Sequence, residues 1–217
     1  MSRTLRFLAV LGIVAAACGA CADTFLLYNP KGGYLAGDYR FLADISFRRL
    51  LLGHYIGIVA IPFELLGFVL VARAMPSGNW RPIAGSLGLI AMICGICYHA
   101  TVGAIGLTIS RSLKAGHASA AWVQHAKDLA WFSEPLGAVI VVGFALLSLG
   151  WAWMVWKDET GYPRWMAFLN PLSIYGLLAL LYVVLPVVGR WTLPVGFNLA
   201  IGIFLLLSLR WAEPVED

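Results

Sequence analysis

The sequence predicts an all-α protein, a polytopic transmembrane bundle of about six spanning helices, and three observations predict it. Of the 217 residues, 61% are hydrophobic and only 12% are charged. Mean hydropathy is +0.84. Apolar runs of spanning length recur along the chain and are separated by short polar loops. A soluble domain is nearer 45–50% apolar and about 25% charged, and a single core of this length has no room for the excess. A lipid bilayer accommodates it, because lipid solvates the outward helix faces.

Spanning a hydrocarbon layer of about 30 Å takes roughly 20 residues. The runs that meet this lie near 6–28, 47–73, 83–109, 128–155, 167–187 and 193–211, within one membrane domain covering 1–217. The first has two readings. Arg3 and Arg6 precede an apolar stretch ending in Ala20-Cys21-Ala22, the pattern of a cleaved signal peptide. The alternative, which we favour, is an uncleaved helix running on into Phe25-Leu26-Leu27-Tyr28. Pro62 and Pro135 fall inside the second and fourth runs and are expected to bend them. The nine tryptophans fall near predicted ends or in loops, the placement of an interfacial belt. The loops 29–46 and 110–127 are each long enough for a short interfacial helix. His117 and His125, in the second, read as solvated.

The net charge of +4 is scattered, so it reads as lipid-headgroup contact and orientation, with Arg48-Arg49 well placed for phosphates. No clustered basic face points to nucleic acid. The expected partner is therefore the bilayer of a cell membrane. Lys and Arg divide almost evenly between the two sides, which leaves orientation open; Arg3 and Arg6 favour an inside N-terminus.

Ionisable residues inside a spanning helix cost about 2.5–3.5 kcal/mol on insertion scales, and so mark functional candidates. Here they are Asp23, His54, Glu64, His99 and Glu134, with Asn170 and Asn198 as neutral partners. At about 1.5 Å rise per residue, Asp23, His54, His99, Glu134 and Asn198 fall in one half of the apolar layer. Glu64 and Asn170 fall in the other. Glu134, beside Pro135, ranks above Glu64, because a proline-broken turn often lines a cavity. The five co-level residues form the candidate polar site. The bland alternative is separate helix-to-helix hydrogen bonds and an interfacial cap at Asp23. His54, His99, Asp23 and Glu134 also carry the imidazole and carboxylate donors that zinc accepts, which makes a metal a secondary reading. His54 and His99 as axial haem ligands are another.

Four cysteines form two C-x-x-C pairs, Cys18/Cys21 and Cys94/Cys97, inside apolar runs. Residues three apart share a helix face, so the pairs are candidates for thiol chemistry or a soft metal. The alternative is packing, since both stand among small residues that let helices approach closely. Asn170 before Pro171 is a candidate helix cap.

Several short stretches carry a family likeness: Asp23 before Phe25-Leu26-Leu27-Tyr28, then Arg49-Leu50-Leu51-Leu52-Gly53, Tyr162-Pro163-Arg164-Trp165-Met166 and Phe197-Asn198-Leu199. Together they resemble an uncharacterised family of bacterial multi-pass membrane proteins. That resemblance implies a bacterial inner membrane and no chemistry. The C-x-x-C pairs are similar in spacing to those of quinone-linked disulfide-forming membrane enzymes, but sit deeper. The seven-helix hydrolases of the ceramidase and progestin-receptor type carry paired histidines in their last helix. Nothing after His125 is a histidine here.

Three functional readings stand. One is a small-molecule or ion permease using the buried acid and imidazole groups. Another is a membrane-embedded metal- or thiol-dependent enzyme acting on a lipid or quinone. A structural subunit or sensor is a third. The sequence assigns no cofactor, substrate, reaction or oligomeric state.

Overall fold

The computed structural model describes residues 1–29, 40–76, 78–114, 120–157 and 159–212. His117 and the first part of the 29–46 loop lie outside them. The described residues are helical and contain no strand. The helices are α1 (Arg3–Leu27), α2 (Phe47–Arg73), α3 (Trp80–Lys114), α4 (Ala120–Trp156), α5 (Pro171–Val184), α6 (Pro186–Thr192) and α7 (Gly196–Trp211). Short 3-10 helices at Arg40–Asp44 and Arg164–Leu169 precede α2 and α5. Much of the expected 110–127 loop is helix, and His125 is an exposed residue of α4.

Four helices are long and apolar enough to cross a membrane, and a fifth span results if α6 and α7 count together. Among the described residues six separate full-length spans are not found. The 167–187 run yields α5, whose 14 residues reach about 21 Å at 1.5 Å each, short of the hydrocarbon layer. The 193–211 run yields α7, bent by 82° against α6. Proline is the cause. Pro186 forces Leu185 out of helical geometry (φ −128°, ψ 73°), and Pro194 sits in the break before α7. By contrast α2 and α4 run through Pro62 and Pro135 as continuous helices.

Large apolar side chains cover the outside. Phe7, Val14, Val59, Phe132, Val183 and Val187 are each more than half exposed, the reverse of a water-soluble surface. Inside, small residues set the packing. The buried face of α1 carries Gly12, Ala15, Ala16, Gly19 and Ala22, and that of α2 carries Gly53, Gly57, Ala60 and Gly67. The two helices run antiparallel: a methyl on Gly12 would strike the Gly67 backbone, and one on Gly53 would lie 2.8 Å from the Ala22 carbonyl. Such small-residue faces let backbones approach closely, which is how helices associate in lipid. Beyond this pair, α1 also packs on α7, α2 on α3, and α3 on α4.

One apolar cluster lies at the α1 C-terminal end, around Leu26, Leu42, Ile45 and Ile105. The other holds Leu70, Met154, Met166 and Phe204. Trp151 belongs to the second, at 4% exposure, so it is a core residue and not part of an interfacial belt. Arg49 is likewise not a free headgroup anchor. Its guanidinium donates to the Thr24 and Tyr28 carbonyls, both at 2.9 Å, and so caps α1. Asn170 caps α5 as expected, accepting from the Ser173 amide at 3.0 Å.

Candidate functional site

The polar residues of four helices meet in the gap that the small-residue faces leave open. Asp23 sits on α1 one turn beyond Gly19. Asn198, near the start of α7, donates from Nδ2 to Asp23 Oδ2 at 2.6 Å. On the other carboxylate oxygen, His99 Nδ1 of α3 stands 3.6 Å from Asp23 Oδ1. The opposite ring nitrogen, His99 Nε2, bonds the Gly53 carbonyl of α2 at 3.0 Å. His99 is 8% exposed, and its ring lies flush on Gly57, where any side chain would overlap it.

Glu64 of α2 joins this group, against expectation. A methyl on Gly19 would fall 2.7 Å from Glu64 Oε1 and 2.8 Å from Asn198 Oδ1. Glu64 and Asn198 therefore line one small hollow over Gly19. Glu64 is 6% exposed, its Oε1 has no hydrogen-bond partner, and Asp23 lies within charge-interaction range. Backbone rise alone sets Glu64 at a different level from Asp23. Side chains lean toward their helix N-terminus, and the N-terminal end of α2 is the Asp23 end. The long Glu64 side chain thus bridges the difference in level. A sequence signal was present: Gly53, Gly57, Ala60, Glu64 and Gly67 are spaced four, three, four and three apart. That stripe places Glu64 on the close-packing face.

His54 is half-buried beside the cluster. Its Nδ1 has no partner, and a methyl on Gly103, one turn beyond His99 on α3, would lie 2.9 Å away. Glu134 lies elsewhere. It is exposed on the outer face of α4, in a groove of about 370 Å³ with Trp131, Phe132, Pro135 and Ala138. The inward face of α4 is set by Ala126, Ala130 and Ser133, which turns the following residue outward.

The secondary readings fare accordingly. Among the described residues no group of three or more His, Cys, Asp or Glu side chains is arranged to hold a metal ion, and the set His54, His99, Asp23 and Glu134 does not assemble. To serve as an axial haem ligand, His99 would have to give up the 3.0 Å contact of Nε2 with the Gly53 carbonyl or use Nδ1, which faces Asp23. All four cysteines are free thiols; Cys18, Cys21 and Cys97 are exposed and Cys94 is half-buried. The buried face of α1 bypasses both of its cysteines, so Cys18 and Cys21 do not make the tight packing of that helix.

A family model matches residues 1–209. The chain belongs to DUF6796, a family of unknown function. No curated protein and no solved structure matches it. The DUF6796 match covers every residue of the polar cluster, Asp23, Glu64, His99 and Asn198, and all seven helices except the last two residues of α7.

A second set of buried polar atoms lies in the other apolar cluster. Trp151 Nε1 has no hydrogen-bond partner, and the Tyr162 hydroxyl faces Ser208 Oγ. The Trp151 ring meets Tyr162 edge-on at 5.1 Å and Phe204 at 4.8 Å. Tyr162 lies between α4 and α5, and burial pushes its phenol above the usual range.

Proposed function

We propose that this DUF6796 chain is a multi-pass integral membrane protein of the cell membrane, and that it is a permease moving an ion or small molecule through its polar intramembrane cluster. One observation carries the reading: Asp23, Glu64, His99 and Asn198, from four different helices, gather within an otherwise apolar bundle. Such groups are expensive in lipid and mark ion or substrate pathways. A purely structural set of hydrogen bonds would satisfy its members. This one leaves Glu64 Oε1 and His54 Nδ1 buried without partners, and buried polar atoms are rarely left so. The bent α6–α7 pair also supports the reading, since irregular backbone at membrane depth is tolerated where it lines a cavity, and α7 supplies Asn198.

Reconstitution tests it. Vesicles containing the protein and a pH-sensitive dye are given a potassium diffusion potential, and ion flux is followed. Wild type should dissipate the gradient well above protein-free vesicles, and Glu64→Gln should slow it at least tenfold. Equal rates for wild type and protein-free vesicles across protons, sodium and potassium would remove the ion-permease reading.

A further inference from the structure

We propose that the cluster is a proton-binding site with two stations, one proton shared between Asp23 and His99 and a second held on Glu64, with Asn198 bridging them. This deepens the permease reading and rests on it for its purpose, naming the proton as the ion handled.

The hydrogen-bond directions carry the argument. The Gly53 carbonyl can only accept, so His99 Nε2, 3.0 Å away, must carry a hydrogen. A neutral imidazole has one N–H, which leaves Nδ1 as a bare lone pair facing Asp23 Oδ1 at 3.6 Å. Two acceptors therefore confront each other until one proton enters between them. That proton sits either on Asp23, donating to Nδ1, or on Nδ1, making an imidazolium beside a carboxylate. Both forms bear the same net charge, so the proton can move between them without changing the charge of the dry interior.

Asn198 fixes the second station. Asp23 Oδ2 is the acceptor for Nδ2 at 2.6 Å, so the amide is oriented and its Oδ1 points the other way, into the hollow over Gly19. Glu64 Oε1 occupies the same hollow and is unpartnered. An ionised Glu64 would turn an acceptor toward an acceptor. A carboxylic acid there has an O–H to donate to Asn198 Oδ1. On release, the Glu64 O–H bond breaks, its electron pair stays on the carboxylate, and the proton leaves the site. Gly19 is what makes room for this.

The surrounding charged groups leave this arrangement intact. From α1 the cluster receives Asp23; from α2, Glu64 and the half-buried His54, which lies within charge range of His99. Arg49, also on α2, is committed to the Thr24 and Tyr28 carbonyls. From α3 comes His99, and from α7 the neutral Asn198. No fixed cation is hydrogen-bonded to either carboxyl group among the described residues.

Infrared difference spectroscopy on the full chain in lipid nanodiscs, stepped between acid and alkaline pH, reads the carboxylic C=O stretch directly. Wild type should show a band that Glu64→Gln abolishes and Glu134→Gln does not shift. Histidine-selective ¹⁵N NMR of the wild type should show His99 protonated at Nε2 and bare at Nδ1 at alkaline pH. Asp23→Asn should move the midpoint of the Nδ1 signal by one pH unit or more. A spectrum unchanged by Glu64→Gln, or a His99 protonated at Nδ1 alone, would overturn the site. So would a Glu64 band that responds to sodium at fixed pH but not to acid. The NMR arm needs no variant, which keeps the test open if Glu64→Gln fails to fold. Neither readout needs transport: bands present without flux sink the permease reading alone, and flux without bands sinks the proton site alone.

Discussion

Replacing Gly57 by alanine should dislodge His99 and loosen the helix bundle. The added methyl would overlap three atoms of the imidazole ring. The obstacle is a ring wedged between α2 and α3, so it cannot swing aside as a flexible chain end would. Overpacking of this kind costs about 1–3 kcal/mol. Moving the ring also breaks the 3.0 Å bond from Nε2 to the Gly53 carbonyl, and interhelical hydrogen bonds in lipid are worth about 0.6–1.7 kcal/mol. The sum is about 2–5 kcal/mol, which for a chain of this size lowers the melting temperature by on the order of 10 °C. The assay is thermal unfolding in detergent, paired with the ¹⁵N shifts of His99. Gly85→Ala is the control, because nothing lies within 4 Å of a methyl there, and it should change stability by less than about 1 kcal/mol. Gly57→Ala melting with wild type, with His99 unmoved, would refute the seating of His99 on Gly57.

Other outcomes follow from single observations. Glu64→Gln should slow flux at least tenfold while Glu134→Gln leaves it within about twofold, because Glu64 is buried in the cluster and Glu134 is exposed on α4; vesicle assays of both decide the ranking. Arg49→Ala removes two bonds that cap α1 and should destabilise by about 1–3 kcal/mol, whereas exposed Arg48 replaced by alanine should not; melting curves separate them. Tyr162→Phe deletes a buried hydroxyl that faces Ser208 Oγ and should lower stability by about 0.5–1.5 kcal/mol; an unchanged or raised melting temperature would show that the two hydroxyls are not bonded. Cys18, Cys21 and Cys97 are exposed on apolar helices of spanning length, so in lipid they should stay as thiols and react slowly with maleimide until the chain is unfolded, and mass spectrometry counts the adducts in each state.

The helical class and the first four long helices were legible in the sequence, because apolar run length and composition set them directly. The last third was not. Runs 167–187 and 193–211 are apolar enough to read as spans, but Pro171, Pro186 and Pro194 cut them into three short helices, and hydropathy is blind to such cuts. In the site, Asp23, His99 and Asn198 came from alternating helix direction, which fixes level. Level does not fix rotation about the helix axis, so Glu134 was placed inward when Ala126, Ala130 and Ser133 already claimed that face. For Glu64 the deciding factor is the reach and lean of its side chain, which backbone rise does not carry. The Gly53–Gly67 stripe carried the missing information in plain spacing.

The central claim is that side chains from separate helices form one interacting site. A double-mutant cycle of Asp23→Ala with Asn198→Ala, measured by reversible unfolding in lipid-detergent mixtures, tests it most directly. The 2.6 Å bond predicts a coupling energy of about 0.6–1.7 kcal/mol. The matching cycle of Asp23→Ala with Glu134→Gln should be additive within about 0.5 kcal/mol. Additivity in the first cycle, or coupling in the second as large as in the first, would contradict the account.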